Sequence, residues 1–325
     1  MKEIKKIGVL TSGGDAPGMN AAVRAVTRTA IYNGLKVVGI HEGYQGLLQK
    51  DTFELGSRTV GHLIQRGGTL LRSARCKEFE TAEGRKKAYD YIQEIGLDGL
   101  VVIGGDGTFT GASIFSDEYN IPVIGIPATI DNDIFGTDAT IGFDTALNTI
   151  VEAVDKIRDT ASAHNRLFLI EVMGRDAGFI ALRAGIATGA ESILLPEFEE
   201  YQTKLREYLE QKHKRSKQNG IIIVSEGSKI KAYDIYKEIT KEHPEYDVRL
   251  SILGHLQRGG SPSAYDRVIA SQLGVAAVEA LLTDRSNEMV GIRNNQVVYV
   301  PLSDSIKEDK ALNKNLLRIV DILSI

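Results

Sequence analysis

Residues 100–108 read Leu-Val-Val-Ile-Gly-Gly-Asp-Gly-Thr, and this run decides the fold. Four consecutive apolar residues that include β-branched side chains are typical of a strand buried on both faces of a parallel sheet. The glycines that follow allow a ligand to come close to the backbone. Because the residues from Phe109 to Tyr119 can form a helix, backbone N–H groups gather at its start, where an anion can bind.

Asp106 stands among these glycines, and a carboxylate beside phosphate groups is repelled unless a divalent cation lies between them. The run therefore predicts a phosphate site in which Asp106 binds Mg²⁺. The alternative is a tight strand-to-helix turn with an exposed aspartate. The run alone does not decide between the two, because short glycine motifs also occur by chance.

Two further apolar runs end in loops that carry acidic residues, and the first of them repeats the strand, glycine pair, acid and helix. The apolar run at 7–11 ends in Ser-Gly-Gly-Asp at 12–15, ahead of a predicted helix from about Asn20 to Asn33. A third apolar run at 123–127 opens into Ala-Thr-Ile-Asp-Asn-Asp at 128–133. Alternating strands and helices predict an α/β fold with a mostly parallel sheet and helices on both faces. Ligands bind such sheets at the carboxyl ends of the strands, where all three loops lie.

Local signals mark further elements. Thr81 is the predicted N-cap of a helix that Gly96 ends, and Ser261 is the predicted N-cap of a helix with Pro262 at its first position. A long helix is predicted from Gly142 to about Thr160. Further strands are predicted at 37–40 (followed by a loop that holds Tyr44), 167–172, 192–195, 221–224, 248–253, 289–292 and 297–300, and a further helix at 203–217.

Composition limits the class of protein. A chain of 325 residues with 42% apolar residues is long enough for two domains with sizeable cores. Its net charge of −4 argues against a nucleic-acid binder. Cys76 is the only cysteine, so no disulfide pair exists and a reducing cytoplasm is expected. The first apolar run is too short for a signal peptide, and no stretch approaches a membrane span.

Phosphoryl transfer needs a phosphate cradle, a metal, a group that orients or deprotonates the acceptor, and cations. The P-loop signature and the protein-kinase motifs are missing from this sequence. Asp131 and Asp133 are two residues apart, so both face the same way in an extended segment, and one could accept a proton from a sugar hydroxyl. The alternative is a pair that caps a turn. Arg175 follows a strand and either stabilises a transferring group or forms a salt bridge.

Other cations stand at the starts and ends of predicted strands. Together they would hold a second phosphate, although each alone is better explained by a structural role; the four residues are Arg166, Arg249, His255 and Arg258. Arg24 and Arg28 lie one helical turn apart, and from the residues alone they are interpreted as a solvated pair.

Five motifs together resemble those of bacterial ATP-dependent 6-phosphofructokinases, in the same order and across essentially the whole chain. The motifs are Thr-Ser-Gly-Gly-Asp-Ala-Pro-Gly-Met-Asn at 11–20, Gly-Gly-Asp-Gly-Thr at 104–108, Thr-Ile-Asp-Asn-Asp at 129–133, Met-Gly-Arg at 173–175 and Gly-His-Leu-Gln-Arg-Gly-Gly-Ser-Pro at 254–262. The resemblance implies two Rossmann-like three-layer α/β/α domains with mostly parallel sheets. Residues 1–138 plus 256–303 would form a larger ATP-binding domain, and residues 139–255 plus 304–325 a smaller fructose 6-phosphate-binding domain.

The resemblance also implies the reaction: Mg-ATP phosphorylates the 1-hydroxyl of fructose 6-phosphate, a step of glycolysis. Asp131 would be the base, Thr129 and Arg175 would stabilise the transferred group, and Asp106 would bind Mg²⁺. The implied ATP contacts are Gly14, Tyr44, Arg75, Cys76, Gly105, Asp106, Gly107 and Thr108. The implied sugar-phosphate contacts are Thr129, Ile130, Asp131, Arg166, Met173, Gly174, Arg175, Glu226, Arg249, His255, Leu256, Gln257 and Arg258.

Members of the family are homotetramers with shared active sites, so Arg166 and Arg249 would come from a neighbouring subunit. An effector pocket for ADP or phosphoenolpyruvate is implied at Arg24, Arg28, Arg158, Gly189, Glu191, Arg215 and Lys217, which replaces the solvated-pair interpretation. Among the departures from the family, Ala128 replaces a glycine, Arg72 adds a cation beside the ATP loop, and Ser57 stands where some members have an effector arginine. Pyrophosphate-using relatives carry an acid at 107 and a lysine at 128, so Gly107 and Ala128 favour ATP.

Two other functions are alternatives to phosphofructokinase activity for this sequence. Lipid and NAD kinases also contain Gly-Gly-Asp-Gly-Thr, but that family does not account for residues 129–133 or 255–258. A sugar-phosphate sensor without catalytic activity would not need the intact set of Asp106, Asp131 and Arg175.

Overall fold

The computed structural model describes residues 3–164, 166–198, 205, 209 and 220–323. The chain forms two compact units. The first holds the chain up to Ile130 together with Ile134–Thr145 and Arg258–Lys310, and the second holds Asp131–Asp133, Ala146–Gln257 and the chain from Ala311 onward. The domain boundaries implied by the resemblance stay a prediction.

Strands in the described residues occur at all the predicted places. They are β1 (Lys6–Thr11), β2 (Lys36–Ile40), β3 (Thr52–Glu54), β4 (Gly99–Gly104), β5 (Val123–Pro127), β6 (Arg166–Val172), β7 (Ser192–Leu194), β8 (Gly220–Ser225), β9 (Asp247–Ile252), β10 (Glu288–Arg293) and β11 (Gln296–Pro301). The short strand β3 is the one that the sequence pattern did not predict.

The first unit contains a seven-stranded sheet in the order β11-β10-β5-β4-β1-β2-β3. Its central neighbours are parallel, and only the outermost strands, β3 and β11, pair antiparallel. All six residues of β4 are buried, as expected for a strand covered on both faces. The predicted α/β class with a mostly parallel sheet is therefore confirmed.

The second unit contains a four-stranded parallel sheet in the order β7-β8-β6-β9. Its strands β6 and β8 are largely apolar and buried, and an apolar cluster that includes Leu169, Ile222 and Ile235 covers one face. This sheet places the ends of β6 and β8 side by side, because Val172 pairs with Ser225.

Helices connect the strands. Within the described residues they are α1 (Met19–Tyr32), α2 (Tyr44–Gln49), α3 (Ala82–Ile95), α4 (Asp106–Tyr119), α5 (Phe143–His164), α6 (Phe179–Thr188), α7 (Ala232–Glu242), α8 (Ala264–Leu282), α9 (Leu302–Lys307) and α10 (Lys314–Leu323), with short 3₁₀ turns at Glu78–Glu80 and Gly254–Arg258. The predicted helix at 203–217 lies largely outside the described residues.

The caps of α3 follow the prediction. The Thr81 side chain accepts a hydrogen bond from the Gly84 N–H group at 3.0 Å, and Gly96 ends the helix in the left-handed conformation that glycine tolerates. Two other local predictions are wrong by a few residues. Helix α4 begins at Asp106 rather than Phe109, and Tyr44 begins a short helix rather than lying in a loop.

The predicted cap of α8 is also wrong. The N-cap is Ser263, whose hydroxyl accepts a hydrogen bond from the Asp266 N–H group at 3.1 Å. Ser261 instead donates its hydroxyl to the carbonyl oxygen of Gln65 at 2.7 Å. A contact between residues so distant in sequence is not visible in a local capping pattern.

Among the described residues, none of the helices combines the length and the apolar character that crossing a membrane requires.

Candidate functional site

Two glycine loops of the first unit meet where β1 and β4 end. The Ser12 N–H group donates to the Ile103 carbonyl oxygen at 3.0 Å, and the Thr108 hydroxyl donates to the Ser12 carbonyl oxygen at 3.0 Å. A Cβ atom at Gly104 would lie 2.4 Å from Thr108 Oγ1 and 2.5 Å from the Ser12 carbonyl oxygen. Glycine is therefore required at 104 by the close approach of the two loops.

The N-terminus of α4 is open above these loops. Asp106 is exposed in the first turn, and the N-cap residue Gly105 has no side chain to satisfy the first N–H groups of the helix. A Cβ atom at Gly107 would meet nothing within 4 Å. A helix start with free space and unsatisfied donors can bind an anion.

A third segment, residues 69–76, is fastened to the loop after β1. The Thr11 hydroxyl donates to the Arg72 carbonyl oxygen at 2.6 Å and lies 2.9 Å from the Thr69 hydroxyl. The Ser73 hydroxyl donates to the Gly13 carbonyl oxygen at 2.5 Å. Nothing in the sequence distinguishes Thr69 or Ser73, because hydroxyl residues are common in loops.

Arg75 and Cys76 follow on this segment. Arg75 is exposed, and Cys76 is half-buried against the apolar core. Burial raises the pKa of the Cys76 thiol, so it stays protonated near neutral pH. The neighbouring Arg72 has a positive φ of 58° and its guanidinium lies 3.7 Å from the Glu42 carboxylate.

Tyr44 belongs to the core of the first unit. Its ring stacks on Phe79 with centroids 4.0 Å apart, and its hydroxyl donates to the Thr108 carbonyl oxygen at 2.6 Å. Burial raises the pKa of Tyr44 above its usual range. Tyr44 thus holds the first turn of α4 through this hydrogen bond. Its implied position near the adenine stays a prediction.

Arg258 lies against the loop after β1. Its Nη1 donates to the Asp15 carbonyl oxygen at 3.1 Å, and a Cβ atom at Gly14 would lie 2.7 Å from that nitrogen. The structure therefore brings Gly14, predicted to contact the nucleotide, next to Arg258, predicted to contact the sugar phosphate.

The loop after β5 is buried. Thr129 and Ile130 are shielded from solvent, and the Thr140 hydroxyl donates to the Thr129 carbonyl oxygen at 2.6 Å. Asp131, which belongs to the second unit, is only 2% exposed, whereas Asp133 is half-buried. A carboxylate with so little access to water is unusual outside functional or paired sites.

In the second unit, the Glu226 carboxylate binds the backbone of the loop that follows β6. Its Oε1 accepts hydrogen bonds from the N–H groups of Gly174, at 3.2 Å, and Arg175, at 2.8 Å. Both residues have positive φ values, of 143° and 52°. This geometry holds Arg175, which is exposed, at a fixed place after the strand.

Gln257 is fully buried and joins the same loop to the loop that carries His255. Its Oε1 accepts from the Met173 N–H group at 3.1 Å, and its Nε2 donates to the Gly254 carbonyl oxygen at 3.0 Å. His255 and Leu256 are exposed. Gln257 therefore orders this region through backbone contacts, and its implied contact with the sugar phosphate stays a prediction.

Arg166 and Arg249 share one carboxylate. Arg166 Nε lies 2.8 Å from Asp247 Oδ2, and Arg249 Nη2 lies 2.9 Å from Asp247 Oδ1. The register of β6 and β9 explains this, because Arg166 is directly opposite Asp247 and Phe168 is opposite Arg249. The structure thus brings two of the predicted cations together.

The predicted effector residues fall into separate groups. In the second unit, Arg158 donates to the carbonyl oxygens of Thr188 and Gly189 at 2.6 and 2.9 Å and lies 3.9 Å from Glu191. In the first unit, burial and the charge of Arg28 lower the pKa of Arg24, and Arg28 lines a groove of about 630 Å³ together with Ser57. Arg215 and Lys217 lie outside the described residues.

A metal would have few protein ligands here. No group of three or more His, Cys, Asp or Glu side chains in the described ranges is arranged to hold a metal ion. An exposed single carboxylate beside an open helix start fits Mg²⁺, which commonly takes one or two carboxylates, with the remaining positions filled by phosphate oxygens and water.

Comparison with known proteins is consistent across sequence and structure. The family model described as phosphofructokinase matches residues 6–281. The ATP-dependent 6-phosphofructokinase 2 of Bacteroides thetaiotaomicron is 56% identical over 326 residues, covering 100% of both chains. The ATP-dependent 6-phosphofructokinase of a Thermoanaerobacter species is 53% identical over 322 residues, covering 99% of this chain and 100% of the relative.

Solved structures show the same fold. Phosphofructokinase from Saccharomyces cerevisiae matches with a TM-score of 0.88 and 39% identity, covering 98% of this chain. The match spans about half, 47%, of the yeast chain. A pyrophosphate-dependent phosphofructokinase from Marinobacter aquaeolei matches with a TM-score of 0.84 and 24% identity over 98% of this chain and 91% of that chain, which shows the fold alone.

Proposed function

Because the chain belongs to the phosphofructokinase family, we propose that it is an ATP-dependent 6-phosphofructokinase, which transfers the terminal phosphoryl group of ATP to the 1-hydroxyl of fructose 6-phosphate in glycolysis. The observation that carries this proposal is the 56% identity over the full length of both chains to an enzyme of that name. The five sequence motifs add support, because each begins at or just after the carboxyl end of a strand, namely β1, β4, β5, β6 or β9.

The nucleotide is proposed to bind the first unit. Gly14, Arg75, Cys76 and the loop from Gly105 to Thr108 would contact ATP, with Tyr44 near the adenine. The open N-terminus of α4 supports this role, because its free N–H groups suit phosphate oxygens. The hydroxyl contacts of Thr11 and Thr108 support it further, since they hold the glycine loops in one arrangement.

Asp106 is the proposed ligand of Mg²⁺. Its exposed carboxylate in the first turn of α4 fits an ion that is otherwise held by phosphate oxygens and water. When bound, Mg²⁺ would neutralise negative charge on the phosphate oxygens.

Asp131 is the proposed general base, which takes the proton of the sugar 1-hydroxyl as that oxygen attacks phosphorus. Its near-complete burial supports this role, because a base shielded from bulk water exchanges its proton with the substrate rather than with solvent. Thr129 and Arg175 are proposed to stabilise the charge on the transferred group, and Arg is suited to this because its guanidinium presents several donors.

Fructose 6-phosphate is proposed to bind the backbone and side chains of Met173, Gly174 and Glu226, with Ile130 and the run from His255 to Arg258. Arg166 and Arg249 are proposed to reach the 6-phosphate of a neighbouring subunit in a homotetramer. Their shared contact with Asp247 supports a paired role, since it holds two guanidinium groups close together despite their like charge.

Regulation is proposed to act at Arg24, Arg28, Arg158, Gly189, Glu191, Arg215 and Lys217, with ADP or phosphoenolpyruvate as effector. Burial and, to a lesser extent, the charge of Arg28 lower the pKa of Arg24, and a bound anion would compensate both effects, which supports an anion site. The proposal also includes a cytoplasmic location and two domains. These are residues 1–138 plus 256–303 and residues 139–255 plus 304–325.

One assay tests the function. Product formation from fructose 6-phosphate is followed with ATP and with pyrophosphate as donors, each with and without ADP and phosphoenolpyruvate. We expect turnover with ATP and not with pyrophosphate, and a change in sugar-phosphate dependence when an effector is present. Failure to phosphorylate fructose 6-phosphate with either donor would refute the proposal, and activity with pyrophosphate alone would refute the choice of donor.

A further inference from the structure

Ser73 makes one contact that no predicted role explains. Its hydroxyl donates to the Gly13 carbonyl oxygen at 2.5 Å, which joins two segments that are 60 residues apart in sequence. The side chain is half-buried, so water competes only partly for this hydrogen bond. The contact falls on the peptide between Gly13 and Gly14, the glycine pair of the loop after β1.

The orientation of this peptide plane is not fixed by its own residues. Gly13 has a φ of +86°, a conformation that glycine adopts readily, and the next residue is also glycine. Without side chains on either residue, few steric barriers select one orientation of the peptide plane. In a trans peptide the carbonyl oxygen and the N–H group point in opposite directions, and this peptide bond is trans.

The backbone segment that carries Ser73 is itself fixed by hydrogen bonds. Thr11 donates its hydroxyl to the Arg72 carbonyl oxygen at 2.6 Å, one residue before Ser73. The Glu42 N–H group donates to the Leu71 carbonyl oxygen at 2.8 Å, and the Arg72 N–H group donates to the Thr69 carbonyl oxygen at 3.1 Å. Ser73 therefore projects from a segment whose own backbone is fixed at several points.

We propose that Ser73 is a positioning residue for the nucleotide. Its hydroxyl holds the Gly13 carbonyl oxygen toward Ser73, which turns the Gly14 N–H group to the opposite, open side of the peptide. There the Gly14 N–H group donates to a phosphate oxygen. Gly14 is exposed, as this requires. The reversed peptide would present the Gly13 carbonyl oxygen to the phosphates, and two negatively polarised oxygens repel each other. The inference rests on the proposed nucleotide site.

The test compares Ser73→Ala with Ser116→Ala. Ser116 is the control, because its hydroxyl also donates to a backbone carbonyl oxygen, that of Ile121 at 2.8 Å, but at the far end of α4. The measurements are the affinity for a non-hydrolysable ATP analogue by calorimetry in the absence of sugar phosphate, and KM values for ATP and fructose 6-phosphate together with kcat.

We expect Ser73→Ala to weaken binding of the ATP analogue and raise the KM for ATP by about 2- to 10-fold, the effect of one hydrogen bond. The sugar-phosphate KM and kcat should stay within about twofold, and Ser116→Ala should leave all nucleotide parameters unchanged. If Ser73→Ala does not fold, Ser73→Cys keeps the shape with a weaker donor and should show the same selective loss.

Unchanged nucleotide affinity in a folded Ser73 variant would overturn the positioning role, as would an equal effect on both substrates. This outcome is distinguishable from failure of the proposed function. A wild-type protein that binds the ATP analogue but does not phosphorylate fructose 6-phosphate would refute the function, and the Ser73 effect would still be measured on binding of the analogue.

Discussion

At the scale of single residues, the chemistry depends on two aspartates whose surroundings differ. Asp131 is almost fully buried, whereas Asp106 is exposed at the first turn of α4. A buried carboxylate suits proton transfer with a bound substrate, and an exposed one suits an ion that keeps part of its water shell. Burial thus separates the two proposed roles more clearly than residue type does.

Replacing Asp131 by serine should lower kcat by about 10²- to 10⁴-fold, because a positioned general base is lost. Fructose 6-phosphate should still bind, since the base contributes more to the transition state than to the ground state. Turnover is measured with the coupled assay and sugar-phosphate affinity by calorimetry.

Asp133→Ser is the matched control for this variant, because Asp133 lies two residues away and is only half-buried. It should retain most of the activity. A near-normal kcat in Asp131→Ser, or a larger loss in Asp133→Ser, would contradict the assignment of the base.

At the scale of elements, the junction between β4 and α4 contains two glycines with opposite requirements. A Cβ atom at Gly104 would overlap the Ser12 carbonyl oxygen and Thr108 Oγ1, whereas one at Gly107 would meet nothing within 4 Å. The first glycine is therefore required by packing, and the second leaves free space above the helix start.

Gly104→Ala should lower the free energy of unfolding by about 1–3 kcal/mol, because the backbone of the loop after β1 must shift. Gly107→Ala should leave it unchanged or raise it by about 0.5–1 kcal/mol, because alanine favours a helix. Chemical denaturation measures both. Equal stabilities of the two variants would show that the loops do not approach each other as closely as described.

Asp266 ties the starts of two helices together. Its carboxylate accepts hydrogen bonds from the N–H groups of Gly142 and Thr145, at 2.9 and 2.8 Å, at the first turn of α5, while the residue itself lies in the first turn of α8. Burial raises the pKa of Asp266 above its ordinary value of 3.8, despite these hydrogen bonds.

This raised pKa gives a pH dependence of defined sign. Between 3.8 and the raised value, the folded state binds more protons than the unfolded state, so the contribution of Asp266 to stability falls as the pH rises through that window and is constant above it. Asp266→Asn should remove this part of the pH dependence. The Thr145 hydroxyl also donates to the Asp266 carboxylate. Asp266→Asn should therefore also cost about 1–3 kcal/mol, because an amide cannot accept all three hydrogen bonds.

Unfolding free energies of the wild type and Asp266→Asn, measured from acid to neutral pH, test both expectations. A wild-type stability that rises relative to the variant across this window would contradict the direction of the pKa shift.

At the scale of the whole molecule, the proposed tetramer makes sugar-phosphate affinity depend on assembly. Arg166 and Arg249 are proposed to serve a neighbouring subunit, so dilution to monomers should weaken fructose 6-phosphate binding by about tenfold or more, the effect of losing charged hydrogen bonds. Affinity for a non-hydrolysable ATP analogue should not change, because the proposed ATP contacts come from one chain. Sedimentation and calorimetry at matched concentrations measure this. Unchanged sugar-phosphate affinity in a demonstrated monomer would refute a shared site.

The sequence predicted the sheets well because buried strands are local apolar runs. The run at 100–103 and its glycines identified β4 and the start of α4 to within a few residues. It failed where partners are distant: Ser261 appeared to be a cap but bonds Gln65, and nothing near Ser73 indicated its contact with Gly13. Similarly, the sequence named Gln257 as a substrate contact without indicating that both ends of its amide are already used by the backbone.

The order of strands in the first sheet has a consequence for the protein during its synthesis. β5 is covered on its outer edge by β10, whose first residue, Glu288, is synthesised 161 residues after Pro127, the last residue of β5 (288 − 127). Because synthesis proceeds at about 5–20 residues per second, the apolar edge of β5 stays unpaired for on the order of ten seconds. A nascent chain of this kind presents an open strand to other chains, so truncated products that end before β10 should aggregate rather than accumulate as soluble fragments.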